Sequence, residues 1–572
     1  ILVESKDQQS QQYLMECIIH AFPDEYNITC MQTILDTMTQ LNNTVDVKAL
    51  LISLMDKIAR YVGDQGKDSE SVVQQAEKIF DQLKASIDTL TQQGISQQAT
   101  GYDPVKLIEL QVAFMKFTVK CCPAQDKLMT INHIFECSLG VLSAYNRKLN
   151  NDGINLLRSL LSIPLESELS LFDFRNFPEL MVFLDFSSRT TLAIRIIESL
   201  NNKEKLDSTE KINILLGFIR PLLEDSSDTI EVDAAQFEYE QNVVSKMLYV
   251  INTNDPEKLM EILCAITPEF LKGGNRRIRY TLPTLVHCFL NLGYQFCQSF
   301  EAKSGQAPDA STGIAQEYLN HLDMSRIDGY ETYQNYLGRI HGNINEIISK
   351  LEPSYPDLAF KLFLNAALQS NNIKISFEKF HDITLGYLNG AFSIYKESEL
   401  DPKKKLALFN QLISTLLMIK SLPSEPVAQL VAKIQELSQN LAKRAEQCNS
   451  MIQCAHLYFS LLENRDKAND CLKKAKRFAD FAMTNPEHLN LYVDLLNKYI
   501  FFIDTCGENI FFQTDAVEDV IETIKNHIQT IKTESTNQAF LPDIERYFDA
   551  TMEIIKKKKE EKQIKFYDDL TI

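Results

Sequence analysis

Apolar residues return at helical spacing along nearly the whole chain, and this constrains the fold more than any other feature. Tyr13, Leu14, Cys17, Ile18 and Ala21 share one face until Pro23 ends the run. A second apolar face follows over 28–41 and a third over 45–62, each joined by a few residues. The pairs recur at about 40 residues, the period of HEAT-like helix pairs. No alternating run of strand length stands out. At 572 residues the chain is too long for one compact core. Its 18 glycines and 17 prolines are few for that length, which suits helices joined by short turns. The expectation is an all-α protein, an α-solenoid of HEAT-like helical repeats.

Local signals place many helix ends. Pro104 opens a helix after the polar stretch 91–103, and Asp401 before Pro402 and Asn485 before Pro486 are cap-and-proline pairs. Pro178 starts a helix expected to run unbroken over 177–200. The stretches 63–69 and 224–233 read as polar breaks. The segment 302–338 resists assignment, because Gly329 and several tyrosines interrupt its period.

Near the middle lies Lys272–Pro283, reading Lys-Gly-Gly-Asn-Arg-Arg-Ile-Arg-Tyr-Thr-Leu-Pro. Gly273 and Gly274 can take the positive φ that closes a helix ending near Leu271. Thr281 is a candidate N-cap, with Pro283 in the first turn of the next helix. The guanidiniums of Arg276, Arg277 and Arg279 lie between these signals. They either hold an anionic partner or lace the corner to acidic neighbours, and an acidic chain favours lacing. The corner divides the expected domains, 1–271 and 272–572.

The formal charge is 58 − 77 = −19, with a pI of about 5.1, so duplex nucleic acid would be repelled. The basic runs 403–405 and 556–559 are short and read as solvated helix surface. Twelve cysteines without a tight framework point to reduced thiols. No window is an uninterrupted apolar span of membrane length, so membrane contact is expected to be peripheral or through a partner. The chain starts at Ile1 and runs at once into a patterned helix, which reads as a piece of a longer protein.

Signals for catalysis are sparse. There is no phosphate loop, Gly-x-Ser-x-Gly elbow or His-Glu-x-x-His helix. His133 and Glu136 could share a helix face as metal ligands, though such a spacing is usually a surface pair. Cys448 and Cys454 lack the spacing of a zinc knuckle. His456 stands in Cys454-Ala455-His456-Leu457-Tyr458-Phe459, and reads either as a helix histidine bonded to a carbonyl or as a contact residue. Tyr499 and Phe502, three apart on one helix face, divide evenly between core and interface.

The stretch from Gly273 to Pro283 resembles a signature of the vacuolar protein sorting-associated protein 35 family, the large scaffold subunit of retromer. Tyr13–Glu25, Cys454–Leu457 and Asn497–Phe502 agree with it in the same order. The resemblance covers most of the chain, the C-terminal two-thirds or so. It implies a scaffold, not an enzyme, with no cofactor or metal. It also implies that a C-terminal groove including His456, Tyr458, Phe459, Tyr499 and Phe502 holds the metallophosphoesterase-like subunit, vacuolar protein sorting-associated protein 29. The arrestin-like subunit, vacuolar protein sorting-associated protein 26, would bind through a Pro-Arg-Leu-Tyr-Leu motif that is absent here. Sorting nexins, the WASH complex and a second copy meeting at the C-terminal region are the other implied partners. The implied setting is cytoplasmic, peripheral on endosomal membranes, in cargo retrieval to the Golgi and plasma membrane. Tyr458-Phe459 stands where Phe-Trp is expected, and the chain has no tryptophan. The alternatives are the Commander-type or another HEAT scaffold, and a metal-dependent hydrolase built on His133 and Glu136.

Overall fold

A computed structural model describes residues 7–42, 45–64, 70–96, 103–145, 148–200, 206–225, 233–251, 253, 255–303, 330–372, 378–507, 512–534, 539–561 and 564–571. Among them every regular element is a helix. The greater part of 302–338 lies outside the described residues, and so does most of the acidic break at 224–233.

The helix starts show why short-range signals suffice. Asp103, Asp255 and Asp401 each precede a proline, and each carboxylate accepts a backbone N–H two residues on, from Val105, Glu257 and Lys403. The proline sits where a helix needs no N–H, and such a cap contributes about 1 kcal/mol. Asn485 does the same for a 3-10 turn, Pro486–Leu489, that runs into the helix Asn490–Cys506.

The chain forms two compact units, residues 1–292 and 293–572. In the first, helix Pro104–Cys121 packs on Val47–Asp64, on Ala124–Tyr145 and on Asn151–Ser162. Contact with both the next helix and the next but one is the mark of stacked helix pairs. Leu107, Ile108, Ile131, Ile134 and Phe135 are fully buried between them. Each contributes roughly 1.5–3 kcal/mol of burial. In the second unit, Arg444–Leu462 packs in the same way on Ser424–Gln439, Arg465–Ala482 and Asn490–Cys506. The protein is an α-solenoid of HEAT-like repeats. None of the described helices is long and apolar enough to cross a membrane. None of the twelve cysteines is joined in a disulfide.

Two expectations need correction. The helix expected over 177–200 is two, Phe177–Met181 and Phe186–Leu200. Asp185 divides them, its carboxylate accepting the N–H of Ser188 at 2.9 Å as an N-cap.

The central corner is also built differently. Neither Gly273 nor Gly274 has a positive φ. The turn is closed by the Gly273 N–H donating to the carbonyl of Phe270 at 3.1 Å. The next helix does not wait for Thr281: it runs Asn275–Lys303, starting from the Gly274 carbonyl, which accepts from Arg277 N at 2.8 Å. Pro283 lies inside that helix, and Thr281 returns its hydroxyl to the Arg277 carbonyl at 3.3 Å. What Gly273 supplies is space, since a Cβ there would meet the Phe270 carbonyl oxygen at 3.1 Å.

Arg277 ties this corner to the end of the helix Thr209–Leu223 and to Asp225, and Arg276 reaches the Phe237 ring. Arg277 is buried, donating Nε to the Leu222 carbonyl at 3.0 Å and pairing Nη1 with Asp225 Oδ1 at 2.7 Å. Exposed Arg276 lies over the Phe237 ring at 4.5 Å, and exposed Arg279 over Tyr280 at 5.6 Å.

Candidate functional site

One cluster of aromatic residues in the second unit lies where helix Arg444–Leu462 meets Asn490–Cys506. Cys454, Ala455, Leu457 and Tyr458 face the core and fix the rotation of the first helix, which leaves His456, Phe459 and Ser460 along its outer edge. On the second helix, Leu495, Leu496, Tyr499, Phe502 and Ile503 face inward, and Lys498 and Phe501 stand at the rim.

The rings form a continuous stack. Phe459 lies on Phe502 with centroids 4.3 Å apart, and Phe502 on Phe512 at 6.0 Å. His456 is stacked on Phe502 at 6.3 Å and meets the edge of Phe501 at 5.5 Å. Lys498 Nζ stands 4.6 Å from the Phe501 centroid and 5.1 Å from that of Phe502. A cation over a ring face is held by the ring quadrupole.

Burial sets the charges here. Taking His456 out of water disfavours its imidazolium, and the Lys498 ammonium adds to this, so its pKa falls to about 4. Burial likewise lowers Lys498 to about 8. At neutral pH the surface therefore shows an uncharged imidazole, a poorly hydrated ammonium and the face of Phe501, which is 45% exposed. The Ser460 hydroxyl lies 3.3 Å from His456 Nδ1.

The five expected partner-binding residues fall into two groups. His456 and Phe459 are half-buried at the rim. Tyr458, Tyr499 and Phe502 are 1%, 2% and 0% exposed and belong to the core of the isolated chain. The Tyr458 hydroxyl donates to Gln435 Oε1 at 2.9 Å, tying two helices together. Lys498 and Phe501 complete the surface, and no spacing in the sequence marks them. Both lie in the quoted stretch Asn497–Phe502, but which of two adjacent phenylalanines faces outward is not a local property.

The other candidate chemistry is arranged differently from the sequence pattern. Glu136 is exposed, and His133 is paired with Asp88 of helix Glu70–Ser96, Nε2 to Oδ1 at 2.7 Å. Cys448 and Cys454 are buried thiols whose pKa burial pushes up to about 12.

Stacked helix pairs carrying an aromatic, partly charged rim define a helical-repeat protein of the scaffold type. The chain belongs to the vacuolar protein sorting-associated protein 35 family, whose model matches residues 1–527. It is similar to vacuolar protein sorting-associated protein 35B of Arabidopsis thaliana, 26% identical over 574 residues, which cover 97% of this chain and 67% of that protein. The 35C protein of the same plant is 26% identical over 567 residues, covering 96% of this chain and 66% of its own. The Dictyostelium discoideum protein 35 is 26% identical over 554 residues, covering 94% and 65%. The chain thus spans about two-thirds of the length of these relatives.

Proposed function

We propose that this chain is the scaffold subunit of retromer and holds the metallophosphoesterase-like subunit, vacuolar protein sorting-associated protein 29, on the rim formed by His456, Phe459, Lys498 and Phe501. The observation that carries the reading is the stack in which a half-buried neutral imidazole and a desolvated ammonium share the Phe501 and Phe502 rings. Covering an exposed aromatic face releases its water, and half-buried polar groups beside it have little hydration left to lose, which is how interface anchors act. Buried Tyr499 and Phe502 would support that surface from beneath. Family membership supports the wider role, retrieval of cargo from endosomes by a peripheral cytoplasmic coat. Sorting nexins, the WASH complex and a second copy of the chain are the further partners of that reading, and the arrestin-like subunit is one only for a longer chain that carries the Pro-Arg-Leu-Tyr-Leu motif.

The test is calorimetry with purified vacuolar protein sorting-associated protein 29. His456→Arg places a longer, permanently charged group in the stack, and Phe501→Ala removes the exposed ring. Each should weaken binding at least tenfold, about 1.4 kcal/mol, with circular dichroism unchanged. Full affinity in both folded variants would place the partner elsewhere.

A further inference from the structure

Asp88 of helix Glu70–Ser96 meets His133 and Cys137, which lie one turn apart on helix Ala124–Tyr145. Cys137 Sγ is 3.6 Å from His133 Nε2 and 3.8 Å from Asp88 Oδ1, and the last two atoms are 2.7 Å apart. We propose that these three side chains bind a divalent transition cation of the zinc type, which clasps the two helices together. The proposal is independent of the partner surface in the second unit.

Tetrahedral geometry supports it. An ion bonded to sulfur at about 2.3 Å and to nitrogen and oxygen at about 2.0–2.1 Å sets its donors roughly 3.3–3.6 Å apart. The two edges that include sulfur, 3.6 and 3.8 Å, are already close to that spacing. Only the imidazole–carboxylate edge, now 2.7 Å, has to open, and it opens when the ion displaces the proton that joins the pair. The edge that opens lies between helices that pack directly on each other, so two backbones already hold the donors in place.

The donor set also suits zinc. Imidazole, thiolate and carboxylate are its three common ligand types, and three protein ligands leave a fourth position for water. Access is open, because the Asp88 and His133 side chains are each 29% exposed and Cys137 is half-buried. Burial and then the nearby Asp88 and Glu136 carboxylates push the Cys137 thiol up to about 12 against Lys84, so a cation must displace the thiol proton to bind there. An aspartate–histidine hydrogen bond alone would account for two of the three residues. The thiol joins that pair as a third donor, its S–H donating to Asp88 Oδ1 at 3.8 Å with His133 Nε2 3.6 Å away.

The experiment is zinc titration of the purified chain with elemental analysis after dialysis, together with Co2+ as a spectroscopic probe for thiolate ligation. The remaining cysteines are common to all variants, so differences isolate this site. Wild type should retain one equivalent more zinc than Cys137→Ser and show a cobalt–thiolate band that Cys137→Ser lacks. His133→Gln should weaken retention at least tenfold and provides a second variant should Cys137→Ser misfold. Zinc should raise the thermal midpoint of wild type and not of either variant. Equal retention and equal cobalt spectra in wild type and folded variants would overturn the proposal, as would no retention by folded wild type.

Discussion

Arg277 and Asp225 form an ion pair across the central corner, Nη1 to Oδ1 at 2.7 Å, with the guanidinium side chain 7% exposed and the carboxylate 66% exposed. The buried partner therefore depends on a neighbour that remains in water. The same guanidinium donates Nε to the Leu222 carbonyl at 3.0 Å, joining the ends of two helices.

Removing that guanidinium should cost more than removing either of its neighbours. Arg277→Ala loses a charge-assisted hydrogen bond to a buried carbonyl along with packed side-chain surface, about 2–3 kcal/mol. Exposed Arg276→Ala loses one cation–π contact, roughly 0.5–1 kcal/mol. Denaturant melts of the two variants read the difference, and equal losses would show that Arg277 is not the tie.

The glycines of the corner should also separate. A Cβ at Gly273 would lie 3.1 Å from a backbone oxygen, whereas at Gly274 the nearest contact is Asp225 Oδ2 at 3.8 Å. Gly273→Ala is expected to destabilise by about 1–3 kcal/mol through strain, and Gly274→Ala to lie within about 0.5 kcal/mol of wild type. Thermal denaturation decides it, and a Gly274 variant that is the worse of the two would refute the assignment.

Phe501 and Phe502 are adjacent and opposite in role, 45% and 0% exposed. Phe502→Ala should cost about 3–5 kcal/mol, since it empties the centre of the ring stack. Phe501→Ala should cost about 1 kcal/mol or less and act on binding instead. Melting curves of the isolated chain distinguish them without any partner.

Glu463 closes helix Arg444–Leu462 in a left-handed conformation, φ 48°, before Asn464 caps the next helix by accepting the Lys467 N–H at 3.0 Å. A Cβ costs about 1–2 kcal/mol in that conformation. Glu463→Gly should therefore stabilise by up to about 1 kcal/mol after its added unfolded-state entropy. A lowered midpoint would contradict this.

His341 gives the stability a pH dependence with a definite sign. Its ring is 5% exposed, with Nδ1 2.6 Å from the Tyr387 hydroxyl, and burial holds its pKa down to about 4. Between that value and the free imidazole value near 6.5, the unfolded chain takes up a proton that the folded chain does not. Stability should therefore be fully present above pH ~6.5 and fall by roughly 2–3 kcal/mol as pH drops toward ~4. His456 acts in the same direction, so His341→Gln should flatten only part of the slope in urea melts. An unchanged slope would mean that His341 titrates normally.

Residues close in sequence determined most of the helix boundaries. Asp401 with Pro402, and Asn485 with Pro486, act within two residues of themselves, so these starts fall where their signals lie. The apolar period fixed the fold class for the same reason, because a helix of 3.6 residues per turn places residues three and four apart on one face. Local signals failed where a longer-range contact outweighed them. Thr281 and Pro283 look like a helix start, yet Arg277 already belongs to that helix, held by Leu222 and Asp225 more than fifty positions earlier.

The candidate surface shows the same division. Spacing placed Tyr499 and Phe502 on one face, and neighbouring helices made that face the inner one. The spacing of His133 and Glu136 was equally legible, but the chain brings His133 to Asp88, 45 positions away, and leaves Glu136 in water. Periodicity is a property of one helix and can be read from its own residues. Which face is covered, and which charge meets which, depends on helices that only the folded chain brings together.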